Sequence, residues 1–169
     1  YAKPCVFINI LYKDGIDGNN VLILKEDDVK VITDLMMGGD GLNPAPELTE
    51  LHFSAICEAM NQMMGSSATS LSSMLNCKID ISPPEAELVD MAGNIDVAKA
   101  SDFLDKDFVR VTFRMTIGDL VDSTIMQLYP IQFARDLYKK FSGESEEKEE
   151  TPPPAPQPEP QPQPVPQPQ

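Results

Sequence analysis

The sequence predicts an α+β domain built on a pseudo-two-fold internal repeat of long helix plus antiparallel strands, followed by a disordered proline-rich tail. Three observations carry that prediction. Apolar residues switch between short β-branched runs and a helical period. The same strand–turn–strand–helix order occurs twice. Composition changes abruptly after Gly143.

Residues 6–12 and 21–24 are β-branched and aliphatic and flank Lys13-Asp14-Gly15-Ile16-Asp17-Gly18-Asn19-Asn20, which reads as two antiparallel strands around a Gly/Asn turn. Residues 27–37 follow with Val29, Ile32, Leu35 and Met36 at helical spacing, stopped by Gly38-Gly39. A long helix is expected over 48–76 and a strand around 85–91. The first grammar then returns: a strand over 108–116, a turn at Ile117-Gly118-Asp119, a strand over 120–129, and a helix that Pro130 opens and that runs through Lys140. A shift of 102 residues lays one copy on the other without a gap, Ile23 on Ile125, Asp34 on Asp136 and Leu35 on Leu137. If the unit is helix–strand–strand–strand–helix, the first copy lacks its opening helix and strand. Together with the missing initiator methionine, this leads to the expectation that the chain is a piece of a longer protein, truncated at Tyr1.

The long helix has two faces. Pro44 and Pro46 end the loop before it, and Glu47 and Glu50 place negative charge where the helix dipole favours it. With Ser54 at zero on a helical wheel, Ile56, Met60, Met63, Met64, Leu71 and Met74 fall in one arc from about 180° to 280°, the expected core face. Ser54, Glu58, Asn61 and Gly65 fall at about 0°, 40°, 340° and 20°, a narrow stripe away from that core. A mid-helix glycine costs about 1 kcal/mol relative to alanine, so a packing or contact role is expected for Gly65. Polarity alone reads Glu58 and Asn61 as a solvated face. Two such side chains three apart can also hydrogen-bond each other, and the small residues 65–70 can equally mean close helix packing. His52 is read as surface or partly packed.

Composition sets outer limits. The 169 residues hold 27 Asp+Glu against 13 Lys+Arg, a formal net charge of −14. That charge argues against nucleic acid, because counterion release needs a basic surface, and against attraction to an anionic leaflet. With His52 as the single histidine, an imidazole-rich metal site and most histidine-based catalysis are excluded. Cys5, Cys57 and Cys77 are odd in number without CxxC spacing, which suggests free thiols in a reducing compartment. No apolar run is long enough to span a bilayer, and Tyr1-Ala2-Lys3-Pro4 does not start a signal peptide. The domain is expected over 1–141, with 142–169 an acidic and then Pro/Gln-rich linker. That arm carries ten of the 16 prolines and six Glu against one Lys. It holds too few apolar side chains to offset its ordering entropy. Polyproline II would make its last 19 residues a spacer of about 60 Å. A ligand for an SH3-type module is the functional alternative.

Ser54-x-x-x-Glu58-x-x-Asn61, followed by Gly65 and by Pro83 22 residues beyond the asparagine, resembles the active-site pattern of the CheC-type phosphatases. These bacterial chemotaxis proteins dephosphorylate the response regulator CheY. The family uses Asp or Ser at the first position, and Ser54 conforms. Segments 34–41 (Asp-Leu-Met-Met-Gly-Gly-Asp-Gly), 58–65 (Glu-Ala-Met-Asn-Gln-Met-Met-Gly), 78–84 (Lys-Ile-Asp-Ile-Ser-Pro-Pro) and 125–130 (Ile-Met-Gln-Leu-Tyr-Pro) resemble the flagellar motor-switch branch of the family. The similar middle domain of FliM lacks the Glu/Asn pair, and free-standing CheC lacks a Pro-Gln linker. In the motor-switch branch such a linker leads to a FliN-like domain, which this chain does not contain. It also contains neither the CheY-binding peptide nor the first helix, which carries a second Glu/Asn site in the family.

The resemblance implies a CheC-like fold and an aspartyl-phosphate phosphatase of the flagellar motor switch. Its catalytic residues would be Glu58 and Asn61, with Ser54, Gly65 and Pro83 flanking the site. Asn61 would position a water for in-line attack, and Glu58 would pair with a lysine of the partner. No cofactor or metal of its own is implied; Mg2+ is expected on the response regulator. Implied partners are phosphorylated CheY and the switch proteins FliM, FliN and FliG, at the cytoplasmic face of the flagellar basal body, without direct membrane insertion. The competing expectation is a non-catalytic structural or adaptor domain of the switch (C-ring) with a vestigial Glu/Asn site.

Overall fold

The computed structural model describes residues 4–16, 18–90 and 107–142. The Pro/Gln arm lies outside the described residues, as do Asp17 of the first turn and Met91 at the end of the expected strand. Chain order is β1 (Cys5–Lys13), β2 (Gly18–Lys25), α1 (Glu26–Met36), α2 (Glu50–Leu75), β3 (Asp80–Ile81), β4 (Glu85–Val89), β5 (Phe108–Ile117), β6 (Val121–Pro130) and α3 (Ile131–Ser142). Each expected element is present, with shifted bounds: Gly18, Asn19 and Asn20, expected in the turn, belong to β2. Pro130 ends β6 rather than opening the last helix, and α2 starts at Glu50 behind a Thr49 cap, so Glu47 lies outside its first turn.

The strands form one sheet in the order β3-β1-β2-β6-β5, with β4 pairing β1 beyond β3, and every pairing is antiparallel. Two hairpins, β1–β2 and β5–β6, therefore meet where β2 lies against β6, with Leu22 opposite Gln127. Each hairpin is followed by a helix, so the repeated grammar is also a spatial repeat. The gapless shift of 102 is not preserved. A two-fold between antiparallel neighbours in one sheet keeps side chains on their own face, yet Ile23 and Ile125 belong to different clusters on opposite faces. The two hairpin loops differ in length, and a one-residue change of register exchanges the faces of a strand.

The main core lies between one face of the sheet and the helices. Val6, Ile8 and Ile10 of β1 and Leu22 and Leu24 of β2 pack with Val29 of α1 and with Ile56, Met60 and Met64 of α2. Burying each such side chain contributes about 1.5–3 kcal/mol. Cys5, Phe7, Val21, Ile23, Val89 and Leu128 form a second buried cluster on the opposite face. Burial on both faces explains why β1 is apolar almost throughout rather than alternating.

On α2 the buried positions are Ile56, Met60, Met64 and Ala68, with His52 and Ala55 at the start. The expected core face is wrong for Met63 and Met74, which are 41% and 68% exposed. Buried residues follow a four-residue step, and positions three away fall on its flank. Met63 instead lines an open cleft of about 650 Å³ with Leu71 and with Phe113, Met115 and Ile125 of the β5–β6 hairpin. His52 is a second correction, because it is buried. Its Nδ1 accepts the Thr49 backbone N–H at 3.0 Å and lies 2.9 Å from Thr49 Oγ1, closing the first turn of α2 as Glu or Gln does in a capping box.

Candidate functional site on the outer face of α2

A 26-residue helix seated on the core by Ile56, Met60, Met64 and Ala68 is a firm support for whatever its other face carries. Ser54, Glu58 and Asn61 are all exposed there, and Gly65 is half-buried. The structure thus brings these four onto one side of α2. A Cβ built on Gly65 meets nothing within 4 Å. The expectation of a packing partner for this glycine is therefore not met among the described residues, and the surface above it is open.

Pro83 comes from a different segment. Ser72 Oγ accepts the Ile79 N–H at 2.9 Å, which fastens the end of α2 to the start of the return path. Further along, the Cys57 thiol bonds to the Ala86 backbone. Residues 79–86 therefore run back along α2 between these two contacts, and Pro83 lies on that path, exposed beside the buried Pro84. Burial pushes the Cys57 thiol up from its ordinary value, with the Glu85 carboxylate acting in the same direction, so its thiolate is disfavoured.

Within the stripe, Glu58 and Asn61 do not bond to each other. Glu58 Oε1 accepts a hydrogen bond from Gln62 Nε2 at 2.8 Å. The exposed Asn61 carboxamide has no hydrogen-bond partner among the described residues, so its acceptor oxygen and both N–H donors are unengaged. Sequence reasoning missed Gln62. Its signal was the four-residue spacing from Glu58, which places the two side chains over each other. No Lys or Arg occurs along α2, so Glu58 has no cation on its own helix to neutralise it. Among the described residues no three His, Cys, Asp or Glu side chains gather as a metal-binding group, and no helix is long and apolar enough to cross a membrane.

This arrangement can hold a water and a cation of a second molecule at once. A free carboxamide oxygen accepts from water, and a carboxylate one helical turn earlier receives a positive charge. It offers no nucleophile paired with a base, so covalent catalysis by this face is not indicated.

Residues 51–88, which contain the whole stripe and Pro83, match the CheC-like family. The chain is 46% identical over 151 residues to a Bacillus subtilis (strain 168) protein named flagellar motor switch phosphatase FliY, covering 87% of this chain. It spans only 39% of that protein's length. The crystal structure of Thermotoga maritima FliY superposes with a TM-score of 0.77 at 39% identity, covering 86% of this chain and 74% of that one. A CheX–CheY–BeF3–Mg2+ complex from Borrelia burgdorferi shares the fold at 12% identity, with a TM-score of 0.52 and 74% of each chain covered.

Proposed function

The chain belongs to the CheC-like family, as a domain of the FliY type, and from that premise we propose that it is a phosphatase domain of the flagellar motor switch acting on phosphorylated CheY. The observation that carries this reading is the unpartnered Asn61 carboxamide, held one turn from Glu58 on an exposed helix face. An aspartyl phosphate is a mixed anhydride whose hydrolysis needs little more than a well-placed water in line with the breaking bond. Asn61 Oδ1 accepts a hydrogen bond from the water and orients the oxygen lone pair at phosphorus. The new P–O bond forms as the bond to the aspartyl oxygen breaks, leaving a free carboxylate and inorganic phosphate, and the water's proton passes to phosphate and solvent. Glu58 receives a lysine of the regulator and fixes the water-bearing face over the phosphoryl group. Mg2+ is supplied by the regulator. Ser54, Gly65 and Pro83 shape the edges, Gly65 by allowing close approach.

The CheX–CheY–BeF3–Mg2+ complex supports the choice of substrate class, since a chain of this fold there meets CheY carrying a phosphoryl mimic. A FliG–FliM complex from H. pylori holds another chain of this fold, at 16% identity, which supports FliM and FliG as neighbours at the motor; FliN is proposed as a neighbour from the motor-switch resemblance alone. The test is a time course of phosphate release from phosphorylated CheY, made with the full-length protein and with any second Glu/Asn site disabled. Asn61→Ala is expected to lower the stimulated rate by about 100-fold or more, the scale of losing a positioned reactant. Glu58→Lys is expected to weaken it strongly through docking. Full activity of Asn61→Ala overturns the mechanism. If the wild-type protein gives no stimulated release, the domain is a structural adaptor with a vestigial pair.

A further inference from the structure

We propose that Gln62 is a positioning residue for the site, holding the Glu58 carboxylate in place before the partner arrives. The inference rests on the reading of Glu58 as the group that receives a cation of the phosphorylated regulator. Both side chains are exposed, and neither is fixed by packing. Glu58 left alone samples several rotamers, and ordering it on binding opposes association. The bond from Gln62 Nε2 to Glu58 Oε1 at 2.8 Å removes much of that freedom in the unbound chain. A carboxylate has about four acceptor positions, and one amide donor uses a single one. Oε2 and the outer lone pair of Oε1 stay open to an ammonium group.

Direction matters as well as order. Gln62 draws the carboxylate along the helix axis toward its C-terminal end, the direction in which Gly65 and the open surface above it lie. Glu58 without this contact is free to lean back toward Ser54. The contact is also neutral: Gln62 places the charge without cancelling it, which a lysine or arginine at position 62 would do. A water-positioning group and a docking group on one helix are thus set at a fixed offset, and Gln62 itself touches neither phosphoryl group nor water.

The predicted signature is a KM effect without a kcat effect. In full-length protein acting on phosphorylated CheY, Gln62→Met keeps helix propensity and side-chain length but removes the donor. It is expected to raise KM about two- to threefold, the scale of an exposed side-chain pair plus its lost ordering, with kcat unchanged. In a Glu58→Ala background the same substitution is expected to change nothing further, and Gln62→Asn, one methylene shorter, is expected to behave like Gln62→Met. A second measurement does not depend on activity: carbodiimide modification of Glu58, followed by mass spectrometry, is expected to be faster in Gln62→Met than in wild type. A fall in kcat at unchanged KM, a lowered KM, or an effect that persists without Glu58 overturns the proposal, and so does an unchanged modification rate. Absence of stimulated release by wild type sinks the phosphatase reading instead, and the modification rate still decides the role of Gln62.

Discussion

Gly65 carries a cost that its surroundings do not offset. It sits mid-helix, where glycine is about 1 kcal/mol worse than alanine, and the space a Cβ would occupy is empty. Gly65→Ala is therefore expected to stabilise the domain by up to about 1 kcal/mol in urea unfolding while lowering phosphate release through the blocked approach. A stabilised variant with undiminished release would mean that the glycine does not serve the site. His52 presents the opposite case. It looks optional in sequence, yet its ring is buried and caps α2 through Thr49, so His52→Ala is expected to cost about 1 kcal/mol or more. Glu58 and Asn61 were legible in the sequence because helical spacing alone places them on one side. Burial of His52 and the bond from Gln62 were not, since each depends on the rotamer and neighbour chosen among several that spacing allows.

Elements were read correctly where their period is strong, and misread where two residues compete for one stripe. Met63 and Met64 are adjacent on α2 and both border the cleft, but Met64 is buried at 4% exposure while Met63 is 41% exposed. Met64→Ala is expected to cost about 2–5 kcal/mol and Met63→Ala well under half of that, compared by chemical denaturation. A second element-level feature joins strands to α3. Phe133 stacks on Tyr12 and Tyr129 at centroid distances of 5.2 and 5.4 Å. A Cβ on residue 18 would strike the Phe133 ring, so the start of β2 is restricted to glycine. Burial pushes both tyrosine hydroxyls up from their ordinary value; for Tyr129 the neighbouring Tyr12 adds to the shift. The folded chain therefore holds protons that the unfolded chain releases. Stability from this pair is complete below about pH 10, the usual tyrosine value, and is lost as pH rises through the higher folded values. Unfolding followed between pH 8 and 11.5 is expected to show that decline, and Tyr129→Phe is expected to flatten it.

At the scale of the whole molecule, two hairpin–helix units share one antiparallel sheet, and α2 with its returning strands sits on the first of them. Residues 143–169 lie outside the described residues, and their composition leads to the expectation that they add nothing to that core. A chain ending at Ser142 is accordingly expected to unfold at the same midpoint as one that continues to Gln169, measured by circular dichroism on heating. The sequence by itself determined the kinds and order of the elements apart from the two-residue β3, the repeated grammar, the polar stripe of Ser54, Glu58, Asn61 and Gly65, and the composition of the arm, because each follows from local periodicity or residue content. Only the tertiary structure decided which face Ile23 and Ile125 take, that Met63 lines a cleft, that Pro83 returns beside α2, and that Gln62 rather than Asn61 bonds to Glu58. Those outcomes turn on register and on distant neighbours. A slip of one residue in a strand, or of one position around a helix, reverses them without changing the local pattern.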